Sequence, residues 1–141
     1  MTTMPQTPTT PAAPVAAPSG TFVPAELFNM LGNLSRADAD ACDFGVIKVD
    51  DSGRILLYNR YQSELGGVPV PSAEGKVFFT QIAPCTNNAL FFGTFKKGVA
   101  AGQLNVSFPY TFTFKMKPTN VKIHMYRDPA SNSNWVFVAR A

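Results

Sequence analysis

Hydrophobic positions recur with a helical period after Phe22, where Leu27, Phe28, Leu31 and Leu34 fall on one face of a short amphipathic helix or pair of turns. Residues 44–49 and 54–58 are β-rich runs, and the Asp50-Asp51-Ser52-Gly53 stretch between them predicts a hairpin. Residues 61–65 fit a brief helix, stopped by Gly66-Gly67 and by Pro69 and Pro71. Loops and short turns are expected from there to Cys85. A clearer helix is predicted over 91–101, with Phe91, Phe92, Phe95 and Val99 on its apolar side and Gly102 at its exit. The last third is strand-rich: residues 105–116 and 120–127 flank a Lys117-Pro118-Thr119 turn, and 135–138 form a closing strand. A hairpin, short helices and three antiparallel strands make an α+β layout. Helices and loops should cover one face of the twisted sheet and leave a pocket between it and the Cys85 segment.

Residues 1–20 are mainly Thr, Pro and Ala, with little to bury, so ordering them would cost backbone entropy that no core contact offsets. They are expected to be a disordered tail, followed by an N-terminal cap over 21–43 and a core over 44–141. The prolines at 5, 8, 11, 14 and 18 and the lack of a basic start argue against a signal peptide. No apolar stretch is long enough to span a bilayer, and a cytoplasmic protein is expected.

At 141 residues the chain suits one domain, with a core that needs no disulfide or metal. The net charge of +3 and the scattered Lys and Arg residues give nucleic-acid binding little support. Cys42 and Cys85 lack the dense spacing of a disulfide scaffold and are expected as free thiols.

Cys85 lies in Ile82-Ala83-Pro84-Cys85-Thr86-Asn87, just before the apolar helix. It reads either as a small buried hydrophobe or as a nucleophile or attachment point. A nucleophilic cysteine needs a base, and the one histidine is His124. Alternation along Val121-Lys122-Ile123-His124-Met125 places His124 on the sheet face opposite to Val121, Ile123 and Met125, which disfavours a Cys/His pair.

Several separated motifs carry a resemblance. Tyr58-Asn59, Gly75-Lys76-Val77-Phe78-Phe79, Ala83-Pro84-Cys85-Thr86, Phe95-Lys96-Lys97-Gly98-Val99-Ala100, Val121-Lys122-Ile123-His124-Met125 and Trp135-Val136-Phe137-Val138 resemble the photoactive yellow protein (xanthopsin) family, in order over residues 26–141. The resemblance implies a PAS-type fold: a five-stranded antiparallel sheet flanked by short helices, with an N-terminal helical cap. It further implies a blue-light photoreceptor carrying p-coumaric acid (4-hydroxycinnamic acid) as a thioester on Cys85. Trans/cis photoisomerisation would drive a reversible photocycle that loosens the cap. Tyr58 matches a tyrosine that donates to the pigment's buried phenolate, and the Cys85 N–H matches the donor to the thioester carbonyl. Ile47, Phe78, Thr86, Tyr110, Phe112 and Met116 match positions that line or neighbour the pigment.

The chain departs from the family at three positions. Gln62 stands where a glutamic acid is usual, Val68 where the best-known members carry arginine, and Gly66 where a threonine supports the tyrosine. Arg60 is the nearest substitute for the missing charge. The resulting expectation is a monomeric sensory receptor, not an enzyme, with a covalent chromophore and a downstream signalling protein, and with no nucleic acid, metal or membrane partner. The rivals are a PAS-type small-ligand or protein-interaction module without pigment, and a thiol enzyme using Cys85.

Overall fold

The computed structural model describes residues 21–113 and 118–141. Helix α1 (Ala25–Asn29), a 3-10 turn (Leu31–Asn33) and α2 (Arg36–Asp40) come first. The start of α2 is locally encoded, because the Ser35 hydroxyl accepts from the Asp38 N–H at 3.0 Å while the Asp38 carboxylate accepts from the Ser35 N–H at 3.2 Å. Strands β1 (Gly45–Val49) and β2 (Ile55–Tyr58) form the expected hairpin. Asp50 closes its turn, its Oδ1 accepting from the N–H groups of Ser52 and Arg54 at 3.0 and 2.9 Å.

Helix α3 (Arg60–Gly66) follows at once and stops where Gly67 turns left-handed at φ 70°. Helix α4 (Val70–Ala73) then leads to a π turn (Phe78–Ile82), a 3-10 turn (Pro84–Thr86) and a second π turn (Ala89–Gly93). That last turn runs into α5 (Thr94–Ala101), so the predicted helix over 91–101 begins as a π turn. The remaining strands are β3 (Asn105–Phe112), β4 (Thr119–Asp128) and β5 (Ser133–Arg140), and the sheet order is β2-β1-β5-β4-β3, antiparallel throughout. The expected strand over 105–116 thus ends by Phe112, and its last three positions, Met116 among them, lie outside the described residues. So does the expected tail over 1–20.

Both faces of the sheet are covered, not one. The row Tyr58–Ile47–Val136–Met125–Val106 crosses all five strands on the face that meets Phe78, Phe79, Phe91 and Phe95. The opposite rows, Val46–Phe137–His124 and Lys48–Trp135–Tyr126, meet Val23, Leu27, Phe28 and Leu31 of the N-terminal segment. Central strand β5 is therefore buried on both sides, which explains why its apolar run Trp135-Val136-Phe137-Val138 does not alternate. Each such side chain contributes about 1.5–3 kcal/mol on burial, so the N-terminal segment is anchored by several of them. No helix among the described residues is long and apolar enough to cross a membrane.

Candidate functional site

Asn59 sets the geometry around Tyr58. Fully buried, its amide donates to the carbonyls of Ala39 and Phe44 at 2.8 and 3.0 Å, and its Oδ1 accepts from the N–H groups of Val46 and Gln62 at 3.0 and 3.1 Å. One side chain thereby caps α3, grips β1 and ties in α2 and the segment after it. Tyr58, at the end of β2, and Gln62, on the first turn of α3, are consequently both buried against the core face.

Gln62 reaches inward because β1 offers no side chain in its way. Gly45 lies in the core-facing row Gly45–Val138–Ile123–Phe108, and a Cβ there would stand 2.2 Å from Gln62 Oε1. Gln62 Oε1 is buried and has no hydrogen-bond partner among the described residues. At Gly66 a Cβ would meet the Tyr58 hydroxyl at 3.5 Å, an ordinary contact, so the tyrosine lacks a neighbour there that space would allow. Burial pushes the Tyr58 hydroxyl up to about 12, and the adjacent Gln62 amide draws it back in part. Tyr58 is thus a hydrogen-bond donor across the whole physiological range.

Cys85 sits half-buried in the 3-10 turn, a free thiol like Cys42. Thr86 shapes the turn, its buried hydroxyl donating to the Ala83 carbonyl at 2.6 Å. The Tyr110 hydroxyl donates to the Cys85 carbonyl, and Asn88 Nδ2 reaches both that carbonyl at 3.3 Å and the Tyr110 oxygen at 2.7 Å. Asn88 Oδ1 also caps the second π turn through the Phe91 N–H at 2.9 Å. The Cys85 carbonyl is therefore pinned from outside, while its N–H has no acceptor among the described residues.

The core that these groups border contains Ile47, Tyr58, Phe78 and Phe112, with Cys85, Tyr110 and Val68 packed against it. Met116 lies outside the described residues. Arg60 faces elsewhere: its N–H and guanidinium donate to Asp40, at 2.8 and 3.3 Å, and the side chain is exposed, so it does not replace a charge in the core. His124 stands on the opposite sheet face, fully buried, its Nε2 donating to Asn105 Oδ1 at 2.8 Å and its Nδ1 accepting from the Thr21 hydroxyl at 2.6 Å. Burial lowers it to about 4, and it has no access to Cys85. The roles of Gly45, Asn59 and Asn88 emerge only from the tertiary contacts they make. A glycine inside a strand pattern was the available signal for close approach at Gly45.

No protein-family model matches the chain. A photoactive yellow protein of Rhodothalassium salexigens is 43% identical over 115 residues, covering 82% of this chain and 92% of that one. The chain belongs to the photoactive yellow protein family. A second member, from Cereibacter sphaeroides, is 38% identical over 119 residues, 84% of this chain and 95% of its own length. The photoactive yellow protein domain of the sensor histidine kinase Ppr from Rhodospirillum centenum superposes with a TM-score of 0.75 at 38% identity, covering 80% of this chain and 99% of that domain. Its fold is thus the PAS fold, and the relatives it matches are photoactive sensory proteins and domains. A yellow colour requires visible absorption, which the twenty side chains do not supply, and photoactive yellow proteins imply a small-molecule chromophore in that role.

Proposed function

We propose that this protein is a blue-light receptor carrying p-coumaric acid as a thioester on Cys85, with a reversible photocycle used for signal transduction. The observation that carries the reading is the buried pair Tyr58 and Gln62, donors on the same core face that Cys85 borders, with the Gln62 amide oxygen left unpartnered among the described residues. Burying an anion costs several kcal/mol unless donors surround it. Tyr58, protonated to about 12, is one such donor. Gln62 is the second. Its unpartnered amide oxygen and its NH₂ exchange places by a half-turn of the terminal torsion, which aims N–H bonds at an acceptor. The free Cys85 N–H suits a thioester carbonyl, and Asn88 with Tyr110 holds that stretch of main chain still.

When bound, the pigment supplies visible absorption and a double bond that light switches between trans and cis. Ile47, Phe78 and Phe112 keep water from the buried charge. Gln62 donates hydrogen bonds but holds no titratable proton, so proton uptake after illumination comes from solvent or through Tyr58. Within the chain, residues 1–20 serve as a tail, 21–43 as a cap released in the light state, and 44–141 as the pigment-bearing core. The protein acts in the cytoplasm as a monomer and passes its signal to a protein partner.

The test is visible absorbance and intact mass after reconstitution with an activated coumaroyl donor. Cys85→Ser is expected to abolish both the colour and the added coumaroyl mass, and Cys42→Ser to keep both. Colour retained in Cys85→Ser, or equal loss in the two variants, overturns the assignment.

A further inference from the structure

We infer that Glu74 is a positioning residue for Tyr58, holding its main chain at the sheet edge and coupling it to the N-terminal segment through Arg36. Strand β2 is the outermost strand of the sheet, so its outward N–H groups have no neighbouring strand to receive them. The chain after α4 takes that place: the Lys76 carbonyl accepts from the Ile55 N–H at 2.8 Å, and the Gly75 N–H donates to the Ile55 carbonyl at 2.9 Å. At Tyr58 the main chain has moved out of reach, and a side chain substitutes. Glu74 Oε2 accepts from the Tyr58 N–H at 3.1 Å. The same oxygen receives Arg36 Nη2 of α2 at 2.5 Å.

A single carboxylate oxygen thus joins Tyr58, whose hydroxyl is buried beside Gln62, to helix α2, whose Arg36 lies 38 positions before Glu74 in sequence. Both ion-pair partners are partly solvated, with side-chain exposures of 47% for Arg36 and 26% for Glu74, so the link is weak and reversible. It is also polarised, because the guanidinium draws charge toward the oxygen that holds Tyr58. A displacement of Tyr58 at its hydroxyl end moves the backbone that Glu74 holds, and Arg36 with it. Other ties join this region to the N-terminal segment: Asn59 to the Ala39 carbonyl, which is buried with every polar atom partnered, and the exposed bonds of Arg60 to Asp40. The Glu74–Arg36 contact is the solvated ion pair among them and the one that ends on the Tyr58 N–H, so it yields before the buried Asn59 tie. Its consequence in the photocycle rests on the light-receptor reading above; the coupling itself does not.

Three variants of the full chain separate the roles. Glu74→Gln keeps an acceptor for the Tyr58 N–H but removes the charge that pairs Arg36. Arg36→Ala leaves Glu74 on Tyr58, and Glu74→Ala removes both contacts. In pigment-free protein, amide hydrogen exchange by NMR is expected to speed up at α2 by about two- to five-fold in Glu74→Gln and Arg36→Ala, the size of an exposed ion pair. Tyr58 stays protected in both. In Glu74→Ala, exchange rises at α2 and Tyr58 together, and adding Arg36→Ala has no further effect. In pigment-loaded protein, Glu74→Ala shifts the absorption maximum, whereas Glu74→Gln and Arg36→Ala only lengthen dark recovery. Unchanged Tyr58 exchange in Glu74→Ala, or additive effects of the two alanine substitutions, overturns the inference. A protein that takes up no pigment would overturn the light-receptor reading while the exchange data still decide the coupling.

Discussion

A side-chain carbon at Gly45 would stand 2.2 Å from Gln62 Oε1 and 3.2 Å from Val138 Cβ. The absence of a side chain on β1 is therefore what admits the Gln62 amide to the core face. Gly45→Ala forces the amide away and crowds Val138, at a cost of about 1–3 kcal/mol. The expected outcome is a lower melting temperature together with a shifted absorption maximum in reconstituted protein. A stability loss with an unchanged spectrum would place Gln62 away from the pigment.

Gln62→Glu supplies a stronger donor and a titratable proton at the same place. It is expected to move the absorption maximum to shorter wavelength, because a localised ground-state phenolate gains more from the donor than the excited state does. A pH dye in weakly buffered solution should show altered net proton uptake early in the light state. An unchanged spectrum and unchanged uptake would remove Gln62 from the phenolate.

Tyr58 gives an alkaline signature. Its folded value of about 12 lies above the ordinary 10, so the stabilisation is fully present below pH 10 and is lost as pH rises toward 12. The effect is about 3 kcal/mol. Tyr126 is raised too, by burial and then by Asp128, so Tyr58→Phe should flatten only part of the alkaline unfolding profile. Urea unfolding at pH 9, 10.5 and 12 reads the slope; an unaltered slope in Tyr58→Phe contradicts the burial of its hydroxyl.

His124 gives the acid counterpart. Its folded value of about 4 lies below the ordinary 6.5, so the unfolded chain takes up its proton first as pH falls. Stability is therefore present above pH 6.5 and is lost progressively down to about 4, by about 1–3 kcal/mol. Since His124 bonds Thr21 and packs on Phe28 with ring centroids 5.3 Å apart, the N-terminal segment should loosen in the same window. His124→Gln is expected to flatten stability between pH 6.5 and 4. A slope as steep as in the parent would assign the acid sensitivity to other groups.

Much of the fold was legible from residue order because its causes are local. Alternation along β4 put Val121, Ile123 and Met125 on one face and His124 on the other, and the sheet rows agree. The Asp50 turn, the stop after Gly66 and the exit at Gly102 each depend on side chains or backbone freedom within a few residues. The Cys85 loop, Tyr58 and Gln62 were singled out together because separated motifs resemble one family, not because of any local pattern.

Position along the chain could not reveal what distant segments do to each other. That both sheet faces are covered depends on Phe28 and Leu31 reaching β4 and β5 across about a hundred residues. The π turns at Phe78–Ile82 and Ala89–Gly93 answer to packing and to the Asn88 cap, not to periodicity. Arg60 is turned to Asp40 by a contact that sequence distance hides. The sequence by itself determined the order of the strands along the chain, the Asp50 turn and the helix stops at Gly66 and Gly102, because those follow from the steric and hydrogen-bonding preferences of neighbouring residues. Only the tertiary structure decided that Gly45 makes room for Gln62, that Asn59 and Glu74 hold Tyr58, and that His124 faces the N-terminal segment. Each of those contacts joins atoms that chain order leaves far apart and that burial and hydrogen bonding bring together.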